Sequence, residues 1–484
     1  MPLKYYVIDA NNVPANQLYS YENGNSNISY DIQSSDREFL MPQSVKVVAN
    51  LVLKDKDGVE QNGDECGLSV QSGFASLINE VSLVSLQSNQ SISDCKNYSR
   101  LLSTINSTCR GDYYDTIQCL SHEGVGYGQE RMDNSVGIYG ANPTTETAKQ
   151  TYSMDVMMGL IQNSQKLYLG RIENGGCGGL RVNFLLNPAS QSIVVADDTN
   201  KPFTYELSNV KLQYTTYYTD DDEEINSGRV KDDWQKSYID FVRESENRQP
   251  PMNEVNDAWK QIVAQSITNK APYKYRDITS YLGNINSTNA NITLAINKSN
   301  VSAIGVNFVP NDYVNSVVAD NDGNKTYDIM PTDATKTTPI KEVGFTRGGQ
   351  FDAPFTYNLT TNVDENLTAQ EQMTTTTRAE VFKPYSDMFI NINENKWQQA
   401  SIENSLYNNQ YSNLVPTDNI GGKGAGISTG KNGVNGTISY VNKPLNINVQ
   451  TNLNGNTFDL FGAYVYAVCE NEMSFSNGSL AVAS

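Results

Sequence analysis

Asp220-Asp-Asp-Glu-Glu224 divides the chain into two β-rich halves of similar size, and the fold is read outward from it. Immediately before it, Thr204 to Tyr218 reads as one long strand, rich in the Thr and Tyr that suit a pleated surface. After it, Trp234, Tyr238, Phe241 and Val242 recur at i, i+4, i+7 and i+8, which predicts an amphipathic helix. Arg248-Gln-Pro-Pro251 ends that helix, because proline cannot continue it. A second helix is predicted from Asn253 to Ile267, with Val255, Trp259, Ile262 and Val263 on one face. Two of the three Trp residues therefore fall in the connector, which predicts a packed hinge rather than a loose linker. The expected units are residues 1–222, an acidic and helical connector 223–270, and residues 271–484.

The first half opens with a strand from Leu3 to Ile8. In Val45-Lys-Val-Val-Ala-Asn-Leu-Val-Leu53, the residues Val45, Val47, Ala49, Leu51 and Leu53 share one face at period two, as in a half-buried strand. Lys54-Asp-Lys-Asp-Gly58 supplies a turn. A strand from Ala75 to Leu86 and a short helix near Tyr98 to Ile105 are expected next. Tyr152, Val156 and Leu160 recur at i, i+4 and i+8 with Met157 beside them, so Thr147 to Gln162 is read as a helix packing its stripe into a core. Strands are predicted at Lys166–Ile172, Leu180–Leu186 and Ser192–Ala196, with the turn Asn174-Gly-Gly-Cys-Gly-Gly179 between the first two.

Strand patterns resume at Ile292–Ile296, Ala303–Phe308, Val314–Ala319, Lys341–Phe345, Ala353–Leu359 and Arg378–Ile390. A short helix is expected from Trp397 to Tyr411 and a Gly-rich loop from Gly421 to Gly436. Closing strands follow at Thr437–Val441, Leu445–Thr451 and Thr457–Val468. Spaced strands with long loops, twice over, predict an all-β chain of two tandem jelly-roll β-sandwiches, with short helices in the connector and loops. No residue-level repeat accompanies the architectural one.

The composition narrows the function. Charged residues make up 18 % of the 484 and the net charge is −19, which opposes an electrostatic grip on nucleic acid. Residues 1–15 lack the apolar core of a signal peptide, and no run approaches the roughly 18 apolar residues that span a bilayer. Six cysteines, Cys66, Cys95, Cys109, Cys119, Cys177 and Cys469, include no C-x-x-C pair and are read as free structural thiols.

Several stretches invite a chemical reading. Ala425-Gly-Ile-Ser-Thr-Gly-Lys431-Asn432 approaches a phosphate-cradling loop but has Ala where the first Gly belongs and Asn where Ser or Thr would hold magnesium. It reads as a flexible loop. His122 is the sole histidine and sits beside Glu123, so a triad or a histidine metal site would have to use it alone. Asp220, Asp222 and Glu224 offer hard oxygen ligands for calcium, yet lack the Gly and distal Glu of an EF-hand loop, and read as a solvated run. Thirteen Asn-x-Ser/Thr sequons, among them Asn286, Asn291, Asn297 and Asn300, follow from an Asn- and Thr-rich composition. No catalytic, cofactor-binding or metal-binding residue is assigned.

The order of patterns resembles that of the double jelly-roll major capsid proteins of double-stranded DNA viruses, in the style of polinton-like viruses, virophages and nucleocytoplasmic large DNA viruses. Arg37-Glu-Phe-Leu-Met-Pro-Gln-Ser-Val-Lys-Val-Val48 looks like the lead into the family's first long strand. Ile78 to Leu86 with Tyr98-Ser-Arg-Leu-Leu102 looks like the next strand and the helix behind it. Tyr205 to Tyr214 looks like the end of the first jelly roll, and Lys443–Val449 through Phe461–Tyr466 like the closing strands of the second. The resemblance implies a homotrimer whose six jelly rolls form a pseudo-hexagonal capsomer in an icosahedral shell. It also implies neighbouring capsomers, penton and minor or cement proteins as partners, and in many members an internal membrane. The protein would be made in the host cytoplasm and reside in the virion, without touching nucleic acid directly and without enzymatic activity or cofactor. Two other readings of the residues stand beside it: a viral spike or surface β-sandwich that binds glycans, and a carbohydrate-active enzyme whose paired carboxylates come from distant positions.

Overall fold

A computed structural model describes residues 3–54, 57–60, 66–68, 73–102, 150–162, 165–195, 204–266, 269–310, 340–351, 357–358, 423–428, 439–451, 461–476 and 479–483. The first half contains β1 Leu3–Asp9, β2 Asn27–Ile32, β3 Glu38–Leu40, β4 Lys46–Lys54, β5 Cys66–Leu68, β6 Ile78–Ser85, β7 Ser91–Lys96, β8 Gln150–Asp155, β9 Leu167–Tyr168, β10 Leu180–Leu186, β11 Ile193–Val195 and β12 Thr204–Tyr218. Short helices α1 Gly159–Gln162 and α2 Ala189–Ser192 lie among them, and α3 Asp222–Ser227, α4 Lys231–Glu246 and α5 Met252–Ser266 form the connector. The second half contains β13 Tyr273–Ile285, β14 Asn289–Leu294, β15 Val301–Pro310, β16 Ile340–Arg347, β17 Gln350–Phe351, β18 Tyr357–Asn358, β19 Lys423–Ser428, β20 Leu445–Thr451, β21 Phe461–Ser476 and β22 Ser479–Ala483.

The pairing of these strands defines the fold. In the first half one sheet runs β1-β12-β4-β8, with β3 and β9 added at the end of β12, and the other runs β2-β10-β6-β7. Taking β1, β2, β4, β6, β7, β8, β10 and β12 as eight successive strands, the first sheet holds places one, eight, three and six. The second holds two, seven, four and five. That interleaving is the jelly roll, two Greek keys wrapped into a sandwich. The second half repeats it: β13-β21-β15-β19 opposes β14-β20-β16-β17, with β18 also on β16 and β22 on β21. A two-stranded ribbon of β5 and β11 stands apart. The expected all-β double jelly roll is therefore the observed fold.

Sequence patterning accounts for the cores. Val45, Val47, Ala49, Leu51 and Leu53 are all buried, as their period-two spacing predicts. In β12, Tyr205 and Leu207 point inward, then the parity changes to Val210, Leu212 and Tyr214. A register shift between Ser208 and Lys211 and a positive φ of 50° at Asn209 mark the bulge that resets the alternation. In the second half Ile285, Ile292, Ile304, Phe345, Ile447, Val449, Val465 and Ala467 form a separate core.

Some expectations fail for identifiable reasons. Thr147–Gln162 is not a helix: Gln150–Asp155 is β8, antiparallel to β4, and only Gly159–Gln162 turns helically. Tyr152, Met154 and Val156 are buried at period two, a pattern that the same residues carry beside the helical one. Residues 75–77 belong to a 3-10 turn preceding β6, and only Leu167–Tyr168 of the 166–172 run is strand. Of the expected strand Thr437–Val441, residues 437 and 438 lie outside the described residues, 439 and 440 are irregular and Val441 begins a turn, whereas Lys423–Ser428 of the supposed Gly-rich loop is strand β19. Val314–Ala319, Arg378–Ile390 and Trp397–Tyr411 lie outside the described residues.

Candidate functional site

A polar cluster lies within the largely apolar seam between the jelly rolls. There the edge of β13 runs beside the edge of β7. Tyr275 Oη donates to the Ile92 carbonyl at 2.9 Å, Ser93 Oγ to Asp277 Oδ1 at 2.5 Å, and Ser280 Oγ to the Lys96 carbonyl at 2.6 Å. Asn471 Nδ2 donates to Asp277 Oδ2 at 3.3 Å, and Tyr466 Oη to the Asn97 carbonyl at 3.4 Å. The guanidinium of buried Arg100, on the helical turn 98–102, stands 5.1 Å from the Tyr464 ring centroid.

β21 is what makes this seam continuous with the cores. Ala463, Val465, Ala467 and Cys469 face the second core, while Tyr464, Tyr466 and Val468 join the first, together with Ile278 and Tyr275 of β13. A strand buried on both faces has no polar positions to alternate, and Phe461-Gly-Ala-Tyr-Val-Tyr-Ala-Val-Cys469 is the run that results. Burial at the seam pushes the Asp277 carboxyl up to about 6, against the hydrogen bond from Ser93 and the charge of Lys298, which favour ionisation. Its side-chain hydrogen bonds, from Ser93 of the first half and Asn471 of the second, make the carboxyl a link between the two halves.

The acidic run is structural as well. Asp221 caps α3, accepting from the Glu223 N–H at 2.8 Å. Asp220 accepts from Arg37 and Tyr218. Glu224 is buried rather than solvated as expected, accepting from Thr219 Oγ1 at 2.6 Å and from the Lys231 N–H at 2.9 Å. Trp259, also buried, donates to Glu223 at 2.9 Å and lies 5.5 Å from the Trp234 ring, so the connector is packed. Phe241, assigned to its apolar face, is instead 64 % exposed.

The remaining candidates do not converge. His122 and Thr429–Asn432 lie outside the described residues, and Ala425–Ser428 pairs with β15 in β19. Cys95, Cys177 and Cys469 are free and buried, and burial pushes the Cys177 and Cys469 thiols up to about 12. Cys66 is in β5, while Cys109 and Cys119 lie outside the described residues. Among the described residues no group of three or more His, Cys, Asp and Glu could hold a metal, and no helix is long and apolar enough to cross a membrane. A cavity of about 470 Å³ lined by Ser34, Gln87, Arg171, Glu173, Asn174 and Gly178 has its Gln87 amide already bound to Glu173 and to the Ile172 N–H. The sequence reading missed the seam; the absence of alternation in 461–469 was the signal for it.

No protein-family model matches the chain, and no curated protein matches it. Solved structures do. The Faustovirus major capsid protein is similar at TM-score 0.55 and 9 % identity, over 98 % of this chain and 91 % of that one. A chain of the Sputnik virophage is similar at 0.53 and 11 %, over 100 % and 88 %. A chain of the PBCV-1 virus capsid is similar at 0.51 and 11 %, over 100 % and 97 %. The fold is thus that of the double jelly-roll viral capsid proteins, along the whole chain.

Proposed function

We propose that this chain is the major capsid protein of an icosahedral DNA virus, assembling as homotrimeric pseudo-hexagonal capsomers. The observation that carries the reading is the repetition of one eight-strand topology in both halves, with the second seated on the first across an apolar seam. A three-chain ring of such pairs presents six similar units, the shape that tiles a shell. Neighbouring capsomers are its main partners, with penton and minor or cement proteins at special positions. The net charge of −19 supports a protein that leaves genome contact to others and stays soluble before assembly. On this reading residues 1–222, 223–270 and 271–484 are the first jelly roll, the connector and the second jelly roll. The protein is a building element of the virion rather than an enzyme, and it is made in the host cytoplasm. The test is the native mass of purified protein by light scattering, followed by negative-stain imaging of the same peak. Three times the chain mass of 53.5 kDa with pseudo-hexagonal particles is expected; a monodisperse single chain overturns the proposal.

A further inference from the structure

The two jelly rolls meet edge to edge without a main-chain ladder between them: β7 pairs with β6 and β13 with β21, each within its own sheet. Side chains of β13 join the edges instead. Tyr275 and Ser280 donate to carbonyls of residues 92 and 96, and Asp277 accepts from Ser93. Burial keeps the Tyr275 hydroxyl protonated far above neutral pH, so of these three links only that of Asp277 holds a group that titrates near neutrality. Asp277 is buried, and it also accepts from Asn471 Nδ2 at 3.3 Å. Asn471 Oδ1 is buried and has no partner, so an ionised pocket leaves an acceptor unsatisfied. A proton on the carboxyl is the missing donor. Acid and amide can then pair through two hydrogen bonds, and the one from Nδ2 to Oδ2 is in place.

We propose that Ser93, Asp277 and Asn471 form a proton-dependent clasp between the two jelly rolls, closed while the carboxyl is protonated and loosened when it ionises. The clasp lies within one chain and does not rest on the capsomer reading. Ionising a buried acid is costly, and here burial outweighs the donors that favour the carboxylate, Ser93 and the Ile278 N–H. Asp94 of β7 opposes ionisation by its charge, and Lys298, ahead of β15, favours it. Cys95, Cys469 and Tyr275 face the group as neutral side chains. Glu80 and Lys96 stand opposite one another on β6 and β7, and Arg276 pairs with Glu470 at 3.8 Å. α1, packed on β13, brings only Gly159-Leu-Ile-Gln162.

Hydrogen exchange at the β7 and β13 amides, corrected for its intrinsic pH dependence, reads the clasp in the full chain. With the carboxyl at about 6 when closed and 3.8 when open, linkage makes the opening constant rise about tenfold from pH 5 to pH 7.5. Asp277→Asn should show no such rise. Ser93→Ala removes a donor that favours the carboxylate, so its rise should come at higher pH, a shift that loss of packing alone does not produce. Glu80→Gln is the control: this carboxyl is also raised by burial but lies on the outward face of β6, and the variant should keep the wild-type rise. A difference infrared spectrum should gain a protonated-carboxyl band as pH falls through about 6, absent from Asp277→Asn. An equal rise in Asp277→Asn, or its loss in Glu80→Gln, overturns the clasp. Should Asp277→Asn fail to fold, an unmoved midpoint in Ser93→Ala overturns it.

Discussion

β12 and β21 occupy the same, eighth, place in their two sandwiches, yet they read differently. β12 alternates buried and half-exposed residues, broken once by its bulge, because only one face meets a core. β21 is buried throughout Ala463–Cys469, because its second face is taken by the other half of the chain. One topology thus carries two burial patterns, and the difference is set by what lies outside the sandwich. Packing between the halves is of the same apolar kind as packing within them, so the two jelly rolls should unfold together rather than in sequence.

The harshest challenge to that contrast is a charge on each strand system. Val468→Asp places an unpaired carboxylate in the seam and should cost more than about 4 kcal/mol, seen as loss of soluble protein or of the cooperative melt. Val7→Asp, on the open face, should move single-chain stability by no more than about 0.5 kcal/mol. Comparable melts for the two would mean that β21 is not covered on both faces. A steric version is Gly159→Ala. A β-carbon there would lie 1.5 Å from the Arg276 carbonyl oxygen, backbone against backbone across the seam. Overpacking of that kind should cost about 3 kcal/mol in urea unfolding. Gly24→Ala, with nothing within 4 Å, should cost about 1 kcal/mol from its positive φ alone.

Much of this was legible in the sequence. Thr204–Tyr218 and Leu445–Thr451 were delimited to the residue by their composition and the turn signals around them. The helix pair around Trp234 and Trp259 followed from its 3.6-residue periodicity. β2, β7 and β13 escaped, because Asn, Ser and Asp interrupt their apolar content. In β13 the inward and outward faces also meet different partners, so no single alternation survives. Asp277 was invisible as a feature: one acidic residue in a polar-looking strand says nothing about the first sandwich supplying Ser93 to it from 184 residues earlier in sequence. Phe241 was misplaced for the converse reason. Periodicity identifies a stripe but not how far around the helix its partner reaches.

Asp277 sharpens the comparison electrostatically. Its pKa is raised from 3.8 to about 6 by burial, so folding favours the protonated carboxyl. A raised acid contributes stability that is fully present below about pH 4 and is lost as pH rises through about 6. Asp277→Asn removes the cost of the buried charge and keeps an oxygen for Ser93; its amide replaces the oxygen that accepts from Asn471 Nδ2, and turning over the Asn471 amide, whose Oδ1 is buried and unpartnered, restores that hydrogen bond. Asp94, Cys95, Cys469, Tyr275 and Lys298 surround the group, and only Lys298 favours its ionisation by charge. The variant should gain on the order of 2 kcal/mol at pH 7.5 and nothing at pH 4, with a flatter stability profile between. A wild-type profile parallel to that of the variant from pH 4 to 6.5 would remove Asp277 from the seam energetics.

A milder effect than that at Asp277 belongs to the connector, whose Val230 and Ile225 pack with Phe39, Tyr168 and Tyr217 outside the two main cores. Asp221→Ala removes the acceptor for the Glu223 N–H and should cost about 1 kcal/mol. The loss should stay local. Thr219, Glu224 and Lys231 keep their own hydrogen bonds, and Trp259 keeps Glu223. Hydrogen exchange should therefore quicken at the amides of α3 while those of β12 and β13 on either side hold their protection. If protection falls across β13 as well, the connector transmits stability between the jelly rolls, and the seam alone does not join them. If it falls only in α3, the helices are a tether and the two sandwiches are one folding unit because of β21.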